Sequence, residues 1–215
     1  MNILDPAIAR YLEGLAASDD EAVLLEMEEL ARQKGFPIIG RLCGRVLEVL
    51  GLSVGAERVF ELGSGFGYSA YWWSRATGPG GEIHLSDGDP DNRDKAMDFL
   101  TRARLADPIT FHVGDAVEQL AGVSGDFDVV YCDIDKHGYP DAWKASRGRI
   151  RRNGLFVCDN MLWSGRVTGE SDEEDVRSGW TEAIVETTRA IEDDPDWRSI
   201  IVPIRDGVLV AVRRH

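Results

Sequence analysis

The sequence predicts an α/β fold, a doubly wound and mostly parallel sheet, with three helices ahead of its first strand. Three observations carry this. From residue 58 onward, short apolar runs alternate with helical stretches, the rhythm of strands and right-handed crossovers. Glycines at 63, 65 and 67 turn a buried strand directly into a helix. Acidic residues fall where the apolar runs give out, at Asp87, Asp115, Asp133 and Asp159. In an open sheet of this kind, ligands bind beyond the carboxyl ends of the strands.

In chain order, Pro6 to Leu15 reads as a short helix. Ser18-Asp19-Asp20-Glu21 is a capping box that opens a second helix running to about Lys34. Gly35-Phe36-Pro37 breaks the chain, and Ile39, Leu42, Cys43, Val46, Leu47 and Leu50 then follow helical spacing. Arg58 to Leu62 is the first strand and Tyr68 to Ala76 the helix after the glycine turn. Strands are predicted over Glu82 to Ser86, Ile109 to Val113, Phe127 to Cys132 and Leu155 to Cys158. Helices are predicted over Asp91 to Leu105, Ala116 to Ala121 and Tyr139 to Ile150. Phe127 to Cys132 reads as an apolar strand, as a central parallel strand should be.

A second capping box, Ser171-Asp172-Glu173-Glu174, opens a helix whose inward stripe is Val176, Trp180, Ile184, Thr188 and Ile191. Ile200 to Val202 and Val208 to Val212, joined through Arg205-Asp206-Gly207, read as a hairpin that sets one antiparallel strand at the sheet edge. No repeat or linker divides the 215 residues. One domain is expected, with residues 1–57 as a helical cap and 58–215 as the α/β core.

Composition narrows the classes of function. The net charge is −14, from 38 acidic and 24 basic residues. Nucleic acid and anionic membranes are therefore poor partners, because both are held by clusters of Lys and Arg. No apolar run nears the roughly 20 residues of a membrane span, and no basic start precedes an apolar block, so a cytoplasmic protein is expected. The cysteines at 43, 132 and 158 lack metal-ligand spacing and read as buried thiols.

The glycine turn separates two chemistries. A dinucleotide site wants G-x-G-x-x-G, whereas here the third glycine comes at 67 and Tyr68 follows. Glu61 at the end of the strand would repel a pyrophosphate but could pair with an ammonium. Asp87, about twenty residues on, suits a ribose whose two hydroxyls a carboxylate can accept. Asp89 before Pro90 makes the better helix cap. Asp115 reads equally as a helix N-cap or a ligand contact.

Asp133, Asp159 and Asn160 lie just past two apolar strands and would supply oxygen ligands. Such a set, completed by water or substrate, suits Mg²⁺, Mn²⁺ or Ca²⁺ rather than zinc. Taken singly, each pair also suits a turn or cap.

E-L-G-S-G-F-G-Y-S-A strongly resembles motif I of S-adenosylmethionine-dependent methyltransferases. Its G-Y-S-A ending, with D-I-D-K-H-G-Y from Asp133 and D-N-M-L-W-S-G from Asp159, is similar to the catechol and caffeoyl-coenzyme A O-methyltransferases, bacterial members included. The match runs in order over residues 59 to 165, and Asp206-Gly207 also fits. The resemblance implies a seven-stranded Rossmann-like class I fold. It assigns Glu61, Gly63, Ser64, Ser69, Asp87, Asp115, Ala116 and Asp133 to S-adenosylmethionine. Asp133, Asp159 and Asn160 would hold a divalent ion, most simply Mg²⁺, and Lys136 would be the base.

The implied reaction methylates a hydroxyl of a vicinal diphenol in a homodimeric enzyme, with Trp72 and Trp73 as interface candidates. Ile134 stands where the family carries a small residue, and Ser164 where plant relatives carry an amide. A coenzyme A ester would need basic residues, and Arg10, Arg32, Lys34, Arg41 and Arg45 are those available near the N-terminus. His84, His112 and His215 lie off the rim, and His137 reads as a solvated loop residue. The competing readings are a nicotinamide-dependent oxidoreductase and a non-catalytic S-adenosylmethionine-binding protein.

Overall fold

The computed structural model describes residues 5–16, 21–170 and 179–215. Strands β1 (Arg58–Leu62), β2 (Glu82–Asp87), β3 (Ile109–Val113), β4 (Phe127–Cys132), β5 (Ile150–Cys158), β6 (Trp197–Val202) and β7 (Val208–Arg213) form one sheet. Their spatial order is β3-β2-β1-β4-β5-β7-β6. The chain reverses direction across the sheet between β1 and β4, which places a switch point beside the glycine turn. β1 pairs in parallel with β2 and β4, Val59 facing Ile83 on one side and Val129 on the other.

Helices α1 (Pro6–Ala16), α2 (Ala22–Lys34) and α3 (Gly40–Val54) precede the sheet. With α4 (Tyr68–Thr77) and α5 (Pro90–Arg102), α2 and α3 cover one face, burying Leu24, Met27, Leu47, Trp72 and Trp73. Helices α6 (Ala116–Gly122), α7 (Tyr139–Ser146) and α8 (Trp180–Glu192) cover the other, over Phe60, Phe127, Trp143 and Phe156. Trp72 and Trp73 are fully buried. They belong to the core, so they do not offer the interface expected of them. The indole of Trp72 lies where a side chain at Gly44 would be: an added Cβ would sit 2.2 Å from the ring. The bare backbone of α3 thus lets α4 approach closely.

Several expectations need correction. Ile150 begins β5 rather than ending a helix, because α7 stops at Ser146 and Arg149 ties the intervening turn to the carbonyls of Leu120 and Gly125. The antiparallel strand β7 lies inside the sheet, between β5 and β6, and the edge is β6, whose direction matches β5. Ser18 to Asp20 of the first capping box lie outside the described residues. Glu21 sits at the N-cap of α2 without a side-chain cap bond, its carboxylate paired with Arg75 at 3.1 Å. The second box and Val176 also lie outside the described residues. Asp89 caps α5 as expected, accepting from the Asp91 N–H at 2.9 Å.

Candidate active site

The carboxyl ends of β1, β2, β4 and β5 open into a cleft of about 1120 Å³. Ligand pockets usually fall between about 300 and 1,000 Å³, so there is room for two small molecules together. Phe36 to Ile39, the break between α2 and α3, forms part of its wall. The N-terminal region therefore reaches the site.

β1 carries Glu61 behind the glycine turn, next to the cleft but not in its lining. It is fully buried, and one carboxylate oxygen accepts a short hydrogen bond from Ser69 Oγ on α4. The other oxygen is buried with no partner. Burial pushes the carboxyl up to about 8; the Ser69 hydrogen bond pulls the other way. A buried, half-satisfied carboxylate of this kind is a place that a cation would fill.

The glycine loop has little to give an anion. Gly63 N–H and Ser64 N–H both donate to Ser86 O, at 3.0 and 2.9 Å. Gly65 N–H donates to Asp87 Oδ2 (3.0 Å) and Gly67 N–H to Ser64 O (2.9 Å). With these donors satisfied inside the protein and Glu61 beneath them, the loop does not make a pyrophosphate cradle. Gly63 has φ +84°, and an added Cβ would lie 2.5 Å from Asp133 O, so the two rim segments touch there without side chain between them.

Asp87 ends β2 against this loop. Its Oδ1 accepts from Asp89 N–H at 2.8 Å and from Asn92 Nδ2 at 3.1 Å, so its position is fixed from both sides. Asp115 caps α6, accepting from Glu118 N–H at 3.0 Å, and with Ala116 also lines the cleft. The cap and the cleft-facing position are therefore one residue.

Past β4 and β5 the acidic segments meet. Lys136, 8% exposed, donates to Asp133 Oδ1 and Ile134 O, each at 3.2 Å. Its ammonium also lies over the Tyr139 ring, 5.2 Å from the centroid. Asp141 is taken by Lys144 at 3.2 Å. Asp159 is completely buried; Oδ2 accepts from Arg205 at 2.9 Å and Oδ1 has no partner. Burial and the nearby Asp133 push its carboxyl up to about 6, with Arg205 opposing. Asn160, at φ +57°, turns the chain into the cleft.

An unpartnered buried carboxylate oxygen beside a second carboxylate and an amide fits a hard divalent cation. The donors would be these three oxygen-bearing side chains; among the described residues no group of three or more His, Cys, Asp or Glu is arranged for a metal. Cys132 and Cys158 are buried free thiols, as expected.

The opposite wall is aromatic. Trp163 and Trp180 lie 5.6 Å apart, and His137 packs on Trp180 at 6.1 Å. Ser164, at φ +52°, donates its N–H to Asp206 Oδ1 at 2.6 Å, which ties this wall to the β6–β7 hairpin. Ile134 fills space that Gly63 and Gly138 leave open. His84 and His112 are off the rim, bonded to each other at 2.9 Å. Of the five N-terminal basic residues, none lines the cleft. Arg32 pairs with Glu29, Arg41 with Glu28, and Arg45 donates to Leu15 O.

Ser86, Asn92, Trp180 and Arg205 carry no signal in the sequence that marks them as site residues. A glycine-turn motif does not specify its support from β2, and Trp180 reads as one more residue of a helical stripe. Arg205 looks like a turn residue until the hairpin is folded back onto β5.

A profile of the O-methyltransferase family matches residues 15–214. The chain belongs to that family. It is 31% identical over 172 residues to a catechol O-methyltransferase of Mycobacterium tuberculosis, covering 80% of this chain and 72% of that one. It is 29% identical over 178 residues to caffeoyl-CoA O-methyltransferase 1 of Eucalyptus globulus, covering 79% and 72%. A methyltransferase structure from Geobacter sulfurreducens superimposes with a TM-score of 0.84 at 27% identity, covering 100% and 99%. The resemblance drawn from the motifs holds, and the protein is an S-adenosylmethionine-dependent O-methyltransferase. The oxidoreductase and the non-catalytic readings fall with it. In this O-methyltransferase no helix among the described residues is long and apolar enough to cross a membrane.

Proposed function

We propose that the enzyme methylates one hydroxyl of a vicinal diphenol held at Asp133, Asp159 and Asn160. The observation that carries this is Lys136, buried and hydrogen-bonded to Asp133 at the edge of an aromatic-walled cleft. S-adenosylmethionine supplies a methyl group already activated on a sulfonium. Its ammonium meets the unpartnered oxygen of Glu61 and its ribose hydroxyls meet Asp87. Its adenine lies along Asp115 and Ala116. Gly63 and Ser64, whose N–H groups are spent on Ser86, contribute carbonyl oxygen to the ammonium end.

A phenol titrates near about pH 10, so the nucleophile is scarce at neutral pH. A divalent ion, Mg²⁺ first among the candidates, would favour the ionised phenol and align it. Lys136 takes the hydroxyl proton as the uncharged amine, with Asp133 accepting one of its remaining N–H bonds and holding the nitrogen at the point of transfer. Trp163 and Trp180 pack the acceptor ring. Positioning of this sort contributes up to roughly 7–11 kcal/mol of barrier lowering at best. The pairing of Arg32, Arg41 and Arg45 elsewhere favours a small diphenol over a coenzyme A ester. A homodimer is also proposed, using surface other than Trp72 and Trp73.

A methyl-transfer screen read by mass tests the proposal. Vicinal diphenols should each gain one methyl in the presence of Mg²⁺, while matched monophenols and meta-diphenols should not. Equal methylation of monophenols would remove the chelation that the proposal requires.

A further inference from the structure

Arg205 sits at the tip of the β6–β7 hairpin in a conformation that a long side chain seldom adopts, with φ +52°. The tip is pinned on three sides. Met161 N–H donates to Gly207 O at 2.9 Å, Leu162 N–H to Asp206 O at 2.8 Å, and Ser164 N–H to Asp206 Oδ1. The outcome of this strained, pinned turn is that a guanidinium 37% exposed on the cleft side reaches a carboxylate that is fully buried. Backbone strain that delivers a charge to a site points to a role for that charge.

Beside Asp159 stand one further carboxylate, Asp133, and two cations, Lys136 and Arg205. Arg205 occupies one oxygen of Asp159 and leaves the other, also buried, unpartnered. A guanidinium cannot shed its charge at working pH. It therefore repels any divalent ion that takes the remaining oxygen, and competes with it for the negative charge of Asp159.

We propose that Arg205 is a tethered cation that competes with the divalent ion for Asp159 and keeps ion binding weak until an anionic acceptor adds its own charge. This rests on the assignment of Asp133, Asp159 and Asn160 as ion ligands. It makes acceptor and ion bind cooperatively: the ionised diphenol supplies the negative charge that Arg205 cancels, and each tightens the other by the same factor.

Calorimetric titration of the full-length protein with Mn²⁺ alone tests this, with the melting temperature of each variant taken alongside. Arg205→Met should bind Mn²⁺ about tenfold more tightly than wild type, since one nearby positive charge is gone. Arg205→Lys should stay close to wild type. A non-methylatable diphenol analogue should raise Mn²⁺ affinity more in wild type than in Arg205→Met. Unchanged or weaker Mn²⁺ binding by a folded Arg205→Met protein would overturn the competition, showing that Arg205 only supports Asp159. Should Arg205→Met fail to fold, Arg205→Gln takes its place under the same criteria. Asp159→Asn separates the two claims. If it abolishes Mn²⁺ binding while Arg205→Met leaves affinity alone, the ion site stands and the role of Arg205 falls. If neither wild type nor Arg205→Met binds Mn²⁺, with or without the diphenol analogue, both fall.

Discussion

Burial pushes the Glu61 carboxyl up to about 8, so near pH 7 it is mostly protonated until a cation meets it. Cofactor binding through an ammonium must then expel that proton. Affinity for S-adenosylmethionine should rise with pH from 6 toward 8, by up to about tenfold per unit. It should stop rising near 8, where α-amino groups themselves lose their charge. Glu61→Gln should bind weakly and without the rise; a flat wild-type profile over that range would contradict the assignment. The same shift has a sign for folding. The folded state keeps a proton that the unfolded chain has lost above its ordinary value of 4.5. Glu61 thus contributes stability at low pH that is lost as pH rises through about 8. Lys136 carries the second residue-scale expectation. Lys136→Met should keep cofactor binding and lower kcat by roughly 10²–10⁴-fold, as loss of a general base does. Lys136→Arg should be nearly as slow, because a guanidinium keeps its proton. Wild-type kcat in Lys136→Met on a simple catechol would assign the lysine to structure. The place of Glu61 was legible in the sequence because it ends a strand before the glycine turn, whereas the role of Lys136 came from the resemblance of its motif. Arg205 was not legible, since only the folded hairpin carries it to Asp159.

At the scale of elements, the sheet was legible wherever an apolar run ended in a polar turn. β3 and β4 fall on the predicted residues, and β1 likewise. β5 did not, because Arg151, Arg152 and Asn153 are polar and interrupt the run, although the strand continues through them. Arg151 is held there by Asp128 and by Val54 O at 2.8 Å. The place of β7 was also hidden: hairpin chemistry says that two strands pair, not which of them docks on β5. The junction of α3 and α4 was invisible for another reason. Helical spacing names the apolar residues of α3, but the closest approach is made by Gly44, which has no side chain to count. Gly44→Ala should show this. Alanine favours a helix over glycine by about 1 kcal/mol, yet its Cβ would meet the buried Trp72 ring at 2.2 Å. Overpacking of this kind costs roughly 1–3 kcal/mol, so the urea midpoint should fall. An unchanged or higher midpoint would show that α3 and α4 separate easily.

For the whole molecule, the topology converts scattered acidic residues into one rim. Glu61, Asp87, Asp133 and Asp159 span about a hundred positions of sequence, yet parallel strands all end on the same side. That much follows from alternation alone, which is why the rim is readable in the sequence. Trp180 of the aromatic wall and the hairpin cation come from α8 and β6–β7, and no local pattern announces which parts of a C-terminal region will fold back over a site. The central claim is that a divalent ion at Asp133, Asp159 and Asn160 presents a diphenol to S-adenosylmethionine. Transfer of labelled methyl to a catechol by metal-stripped enzyme, before and after adding Mg²⁺, tests it most directly. Activity should fall to background in excess chelator and return on Mg²⁺ addition, while Asp159→Ala should recover little of it. Full activity in excess chelator would contradict the account.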